Sequence, residues 1–160
     1  NIEDIVVGDI VQSFDEESGK FVYSDVLEID HRHTVGDHTE GCKYVGYNQS
    51  GVFKISIDMG DEEGPQDIGV RFTPEHPFLT KEGWKALAPI PSQEPWATQQ
   101  EEIKILEKGD FVKFSDSEEG TWYEITSIEF EPTPGDTPVY NFTVDKHHNY
   151  TAGSVVVHNK

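Results

Sequence analysis

The sequence has 160 residues, a formal net charge of −19 and 34% hydrophobic residues. This length suits one domain with its own core, while the negative charge disfavours binding to nucleic-acid phosphates. The single cysteine excludes an internal disulfide and a multi-cysteine zinc site, and no apolar run reaches the ~20 residues that a membrane-spanning helix needs. The absence of an initiator Met indicates a processed product, a fragment or a trimmed piece.

The first predicted element is a hairpin that recurs later in the chain. Residues 2–29 align with residues 103–130 at a constant offset of 101, without a gap. Each copy has an apolar pair, a Gly-Asp turn, a strand, an acidic loop ending in Gly and a second strand. The matches are Ile2 with Ile103, Ile5 with Leu106, Gly8-Asp9 with Gly109-Asp110, Val11 with Val112, Gly19 with Gly120 and Phe21 with Trp122. We interpret this pattern as an internal duplication, which predicts a pseudo-two-fold β domain.

The segment after the first copy contains three histidines and the only cysteine. His31 and His33 alternate, so both face one side of a predicted strand. With His38 and Cys42 they could form a metal site. Their spacing matches no known metal loop, so the sequence favours a solvent-facing hairpin instead. Cys42 has no neighbouring base and is expected to be a packed or surface residue, not a nucleophile.

The remaining periodic segments predict a mostly β fold. Val, Ile, Phe and Tyr dominate the apolar residues, Gly-rich and Pro-rich turns are frequent, and no long helical period is present. We predict strands at residues 44–47, 52–57, 139–144 and 155–157, with Gly153 in the turn between the last two. Asn149 begins a short glycosylation pattern of a kind frequently met by chance.

Each copy of the hairpin is followed by a histidine motif that ends in an aromatic residue, FTPEHPF in the first half and VDKHHNY in the second. Thr73 stands three residues before His76, and Asp145 stands three residues before His148. We therefore expect the two halves to bring similar chemistry to one central place. Between the halves, residues 88–102 contain three prolines and are predicted to be an exposed linker.

The last predicted strand ends on His158, Asn159 and Lys160. The side-chain amide of a rigidly held Asn can attack its own main-chain carbonyl, close a succinimide ring and release whatever follows. Rigid positioning removes much of the entropic barrier, and the imidazole of His158 or His148 can transfer the proton. The alternative is a frayed chain end without a role.

These features together resemble the Hint fold of inteins and hedgehog autoprocessing domains. FTPEHPFLTKEGWKAL is similar to the family's second motif block, and VYNFTVDKHHNYTAGSVVVHN is similar to its C-terminal block. The ending His158-Asn159 resembles inteins and bacterial Hint domains, not hedgehog domains. The resemblance implies one Hint domain over residues 1–160, with pseudo-repeats at about 2–87 and 103–159. It implies no homing endonuclease domain, since residues 88–102 are too short for one, and it implies a cytoplasmic protein without cofactor or metal.

Two departures from the family refine this expectation. The family begins with a Cys or Ser nucleophile on a short strand before the segment matching residues 2–9, and that strand is missing here. The resemblance therefore implies the large C-terminal fragment of a split intein, although the strand could also lie on another chain or have been removed. The expected partner is a short, basic N-terminal fragment that docks as the missing strand. Lys160 stands where the family carries Cys, Ser or Thr, so it is a replaced residue or this form only cleaves.

The resemblance also assigns roles to individual residues. The partner's Cys or Ser would form a (thio)ester with the preceding carbonyl, while Thr73 and His76 polarise that bond and protonate the departing nitrogen. After acyl transfer, Asn159 would cyclise and release the ligated flanking polypeptides, the exteins. His158 would stabilise the oxyanion or protonate the leaving amide, and His148 would be the acid–base group on Asn159.

Three further residues of the C-terminal block receive weaker assignments. Asn141 stands where many inteins carry an acid, and its amide cannot move protons. Asp145 is a supporting candidate in the same block. His147 is expected on the opposite strand face from His148, exposed to solvent.

Two other functions compete with splicing. The first is a Hint domain that only cleaves itself, as in processing domains of bacterial toxins or other secreted proteins. The second is an acidic β-rich module that binds a peptide or a metal through its histidines.

Overall fold

The computed structural model describes residues 2–60, 62–89 and 103–158. The chain is mostly β, which confirms the predicted fold class. The linker prediction at 88–102 falls, from residue 90 onward, outside the described residues. Among the helices of the described part, none has the length and apolar character required to cross a membrane.

Strands account for most of the described segments. They are β1 Ile10–Asp15, β2 Lys20–Thr34, β3 Gly51–Asp58, β4 Pro65–Asp67, β5 Phe78–Thr80, β6 Gly83–Ala86, β7 Lys104–Ile105, β8 Phe111–Phe114, β9 Thr121–Pro132, β10 Pro138–Val144, β11 Asn149–Ala152 and β12 Val155–His158. Two 3-10 helices, Ile2–Asp4 and Val35–His38, and one short α-helix, α1 Thr39–Tyr44, complete the set. The strands predicted at 52–57, 139–144 and 155–157 are confirmed as β3, β10 and β12, and Gly153 lies in the predicted turn.

The strands form two sheets. A three-stranded sheet has the order β1-β2-β10, and a nine-stranded sheet has the order β4-β3-β9-β8-β12-β5-β6-β7, with β11 paired to β12. Short β12 is therefore the point where several strands meet. Val155 pairs with Phe114 of β8, and Val157 pairs with Phe78 of β5.

Both faces of β12 are buried. Val155 and Val157 belong to the main core, while Val156 belongs to a second cluster with Phe14 and Trp84. Burying one valine side chain contributes about 1.5–3 kcal/mol, so packing on two sides fixes this strand firmly. The chain therefore reaches His158 on a rigid element.

The two aligned segments fold into equivalent hairpins, β1–β2 and β8–β9. In the first turn, the Val6 N–H donates to Asp9 Oδ2 at 3.0 Å, and in the second the Glu107 N–H donates to Asp110 Oδ2 at 2.8 Å. The glycine before each aspartate has a φ of +95° or +97°, a conformation that only glycine adopts readily. In both turns, therefore, the glycine supplies the positive φ and the aspartate accepts the hydrogen bond that closes the turn.

The prediction of a strand at residues 44–47 is wrong. Tyr44 is instead the last residue of α1, which comes directly after the second 3-10 helix, and residues 45 and 46 form the turn that follows α1. The Thr34 N–H donates to Asp37 Oδ2 at 2.8 Å and starts this helical segment. The Gly46 N–H, at a φ of +93°, donates to the Lys43 carbonyl at 3.0 Å and ends it. Local capping therefore prevails over the β propensity of the tyrosines.

Candidate functional site

The first histidine motif forms a compact turn immediately before β5. The His76 N–H donates to the Thr73 carbonyl at 3.1 Å, so the two side chains are held close in the chain. Thr73 is buried, and the half-buried His76 ring lies with its edge towards Phe78, 6.2 Å between centroids. This turn presents a hydroxyl and an imidazole from a fixed backbone.

Thr73 and His76 line a mainly apolar cavity of 360 Å³, called here the threonine–histidine groove. Its other lining residues include Ile2, Tyr140 of β10, Tyr150 and Val157. Residues near both ends of the described chain thus reach the same groove.

A second cavity, of 240 Å³, shares part of its lining with the threonine–histidine groove. Its lining includes Thr73, His76, His38 and the supporting candidate Asn141. The Tyr150 hydroxyl donates to Asn141 Oδ1 at 3.3 Å, and complete burial raises the pKa of Tyr150. Tyr150 is therefore a neutral donor that orients the Asn141 amide.

A hydrogen-bonded histidine–glutamate pair links this motif to the helical segment. Glu75, between Thr73 and His76 in the chain, binds His38 Nδ1 through Oε2 at 2.9 Å. The two side chains are only 17% and 12% exposed. A Cβ added at Gly41 would collide with the Glu75 carboxylate, so the helix approaches the motif closely. The pair joins residues 37 positions apart, and no local pattern indicates such a contact.

The second candidate cluster surrounds the end of β12. His158 is 3% exposed, its N–H donates to the Pro77 carbonyl at 3.0 Å, and its ring lies 4.9 Å from that of Trp84. His158 pairs with Asn149 across β11 and β12, and His148 immediately precedes Asn149. Asn159, the proposed cyclising residue, lies outside the described residues.

His148 and His158 line one cavity of 370 Å³ together with Phe14, Trp84 and His147, called here the histidine cavity. The expectation that His147 is exposed on the opposite strand face is wrong. Both histidines lie in the turn between β10 and β11, where His147 is half-buried and His148 is exposed. Asp145 opens this turn, and its N–H donates to the Asp25 carbonyl at 3.0 Å.

The two histidine motifs therefore meet at β12, but on opposite sides. Val157 lines the threonine–histidine groove, whereas His158 lines the histidine cavity. Consecutive strand residues point to opposite faces. The expected single central place is thus two neighbouring cavities that flank the end of one buried strand.

The other histidine and cysteine candidates have structural contacts. His33 lies 3.6 Å from Asp30 and 3.8 Å from Asp37. Cys42 is fully buried, its thiol donates to the Gly51 carbonyl at 3.6 Å, and burial raises the pKa of that thiol. In residues 2–60, 62–89 and 103–158, no three His, Cys, Asp or Glu side chains are grouped to hold a metal ion. The side chain of His31 is outside the described part.

Comparisons with known proteins agree with this architecture. The sequence matches no protein-family model and no curated protein. The structure is similar to a DnaB intein from Synechocystis sp. PCC 6803, with a TM-score of 0.67 and 18% identity over 100% of this chain and 86% of that chain. It is also similar to a bacterial intein-like domain from Clostridium thermocellum, with a TM-score of 0.64 and 24% identity over 99% and 86%. A third similar structure is the gp41-1 intein, with a TM-score of 0.61 and 19% identity over 99% of this chain and 85% of that chain. The chain therefore has the Hint fold of inteins.

Proposed function

We propose that this chain, which has the Hint fold of inteins, splices proteins in trans as the large C-terminal fragment of a split intein. The observation that carries the proposal is the convergence of the two histidine motifs at the end of β12. Thr73 and His76 lie on one side of that end, and His148 and His158 lie on the other.

The rigidity of β12 supports Asn159 as the cyclising residue. Asn159 follows His158 by one peptide bond, and His158 is a buried member of a strand that pairs with β5, β8 and β11. Fixing one end of the reacting group lowers the entropic part of the barrier to cyclisation.

His148 and His158 can together carry both proton transfers of the proposed C-terminal cleavage. The Asn159 side-chain nitrogen attacks the Asn159 main-chain carbonyl carbon and loses a proton to His148. The bond from that carbon to the nitrogen of residue 160 then breaks. His158 supplies a proton to the departing nitrogen, and a succinimide remains on the chain. Both imidazoles line the histidine cavity, and His158 is the residue next to Asn159 in the chain.

The threonine–histidine groove supports docking of a short N-terminal fragment. Among the described strands, β10 is at the edge of its sheet, and Tyr140 of β10 lines the groove. An added strand could bond to that edge by β-augmentation and bring its Cys or Ser to Thr73 and His76. The net charge of −19 favours a basic fragment through electrostatic steering.

A reconstitution experiment tests the proposal. The chain carrying Lys160→Ser, fused to a reporter protein, is mixed with synthetic peptides that combine a candidate N-terminal strand with a short flank. Mass spectrometry is expected to show a flank–reporter product, and Asn159→Ala is expected to prevent release of the chain from the ligated flanks. No mass change with any peptide would contradict both splicing and cleavage and would favour the acidic binding module.

Salt dependence tests the charge of the partner separately. The association rate of a basic peptide is expected to fall as salt is added, because screening weakens steering between exposed charges. An association rate that stays constant between low and high salt would contradict a basic partner.

Self-cleavage without ligation is the second candidate function. Lys160 lacks the hydroxyl or thiol that would accept a migrating acyl group. Release of free reporter without ligation, with both Lys160 and Lys160→Ser, would favour this function.

A further inference from the structure

Asn149 is a buried amide whose side chain binds two separate backbone segments. It is 1% exposed at the start of β11. Its Oδ1 accepts from the Phe14 N–H at 2.7 Å, and its Nδ2 donates to the Phe14 carbonyl at 2.9 Å. The same Nδ2 donates to the His147 carbonyl at 3.0 Å. One carboxamide therefore replaces a pair of strand hydrogen bonds to β1. It also holds the turn at residues 145–148, called here the histidine turn.

The backbone of Asn149 makes two further connections. Its carbonyl accepts from the buried Ser13 hydroxyl at 2.9 Å, and the residue pairs with His158 across β11 and β12. Asn149 thus joins β1, the histidine turn and the end of β12 at one point.

The histidine turn needs such a connection because its backbone is strained. Lys146 has a φ of +73° and His148 has a φ of +55°, the left-handed region that residues with a Cβ adopt only at a cost. The bond from Asn149 Nδ2 to the His147 carbonyl fixes the peptide unit that leads into His148. This bond restricts the direction in which His148 enters the histidine cavity.

We propose that Asn149 is a positioning residue for C-terminal cleavage, holding His148 at the junction that follows His158. Its effect on cleavage rests on the proposed function. The carboxamide is required as both donor and acceptor, because it faces the Phe14 N–H together with two carbonyls. Loss of Asn149 should therefore slow the C-terminal step selectively, since Thr73 and His76 lie on the other side of β12.

The test compares Asn149→Asp and Asn149→Ala with wild type in the full-chain reporter fusion. Asn149→Asp keeps an acceptor for Phe14 but places a carboxylate against two carbonyls. Reporter release is expected to slow between about tenfold and about a hundredfold, with a shifted pH profile. Thiol-induced cleavage at the N-terminal junction of a docked peptide is expected to stay within about twofold of wild type.

Thr80→Val is the matched control for lost buried hydrogen bonds. Thr80 is 3% exposed, and its hydroxyl donates to the Gly83 carbonyl at 2.7 Å in the β5–β6 turn. This variant is expected to keep the wild-type pH profile of release. Equal loss of both reaction steps in the Asn149 variants, in proportion to the unfolded fraction, would overturn the positioning role. Wild-type release rates in both folded Asn149 variants would also overturn it.

Histidine NMR separates failure of this proposal from failure of the proposed function. In the folded chain, Asn149→Asp is expected to change the chemical shifts of the His148 ring but not those of the His76 ring. If wild type releases no reporter under any condition, the proposed function fails, but the NMR experiment still tests the positioning of His148. Unchanged His148 resonances in the folded Asn149 variants would overturn the positioning role.

Discussion

The two hairpins with matching sequences have the same turns but different surroundings. The β1–β2 hairpin belongs to the three-stranded sheet, where Ile10, Tyr23 and Leu27 are 67%, 76% and 53% exposed. The β8–β9 hairpin lies in the middle of the nine-stranded sheet, where Val112 and Ile125 are fully buried. A local sequence pattern thus produces a hairpin, and its neighbours decide how much stability each residue provides.

The registers of the two hairpins differ by two residues. β1–β2 closes with Asp15 opposite Lys20, and β8–β9 closes with Phe114 opposite Thr121. An even shift leaves every side chain on its original face. The loop at residues 115–120 is therefore longer than the loop at 16–19, without an exchange of core and surface positions between the two hairpins.

The largest expected difference between the copies involves their turn aspartates. Asp110 binds Lys85 Nζ at 2.8 Å, with side chains 10% and 9% exposed. Lys85→Met would leave a buried carboxylate without its cation and should lower the free energy of unfolding by about 3–5 kcal/mol, measured by urea denaturation. Asp9→Asn in the first copy should cost only about 1 kcal/mol. Equal losses in the two copies would contradict this comparison.

The same ion pair predicts a pH dependence. Hydrogen bonding to Asp110 raises the pKa of Lys85 above the ordinary lysine value of 10.5. The stabilisation is therefore fully present below pH 10.5 and is lost as pH rises through the folded-state pKa. Between pH 9 and 12, the urea midpoint should fall more steeply with pH in wild type than in Lys85→Met. Parallel plots of midpoint against pH would contradict a contribution of this ion pair.

The two loop glycines form a matched pair with an intermediate effect. Gly19 has a φ of +72° and open space around a built Cβ, whereas Gly120 has a φ of +76° and a built Cβ only 2.7 Å from the Phe114 carbonyl oxygen. Gly19→Ala should cost about 1–2 kcal/mol for the left-handed backbone alone. Gly120→Ala should cost about 1–3 kcal/mol more through the collision. Thermal unfolding measures both, and similar melting temperatures would refute the difference in packing.

The smallest expected effect comes from a lysine packed between the copies. Lys113 is 8% exposed, and its Nζ lies 5.3 Å from the Phe14 ring centroid and 4.8 Å from that of Trp122. Burial lowers the pKa of Lys113, so the unfolded chain binds more protons between the folded and unfolded pKa values, and stability rises with pH there. Lys113→Met should change stability at pH 7 by less than about 1 kcal/mol and remove this rise. A loss of several kcal/mol would show that the charge itself is required.

The sequence predicted the elements whose signals are local. Alternation and β-branched runs marked β3, β10 and β12, and the repeated Gly-Asp pair marked both hairpin turns. The predicted strand at residues 44–47 failed because the cap formed by Thr34 and Asp37 begins a helical segment nearby. The β propensity of these residues is a weak signal, and specific hydrogen bonds to the backbone outweigh it.

The candidate site divides in the same way. By itself the sequence placed Thr73 and His76 in one motif and His148 and His158 in another, because each set is close in the chain. Only the tertiary structure decided that the two sets face opposite sides of β12. It alone paired His38 with Glu75, 37 residues away, and Phe14 with Asn149, 135 residues away. Such contacts arise when segments distant in the chain pack together, and they produce no periodic pattern or fixed residue spacing in the sequence.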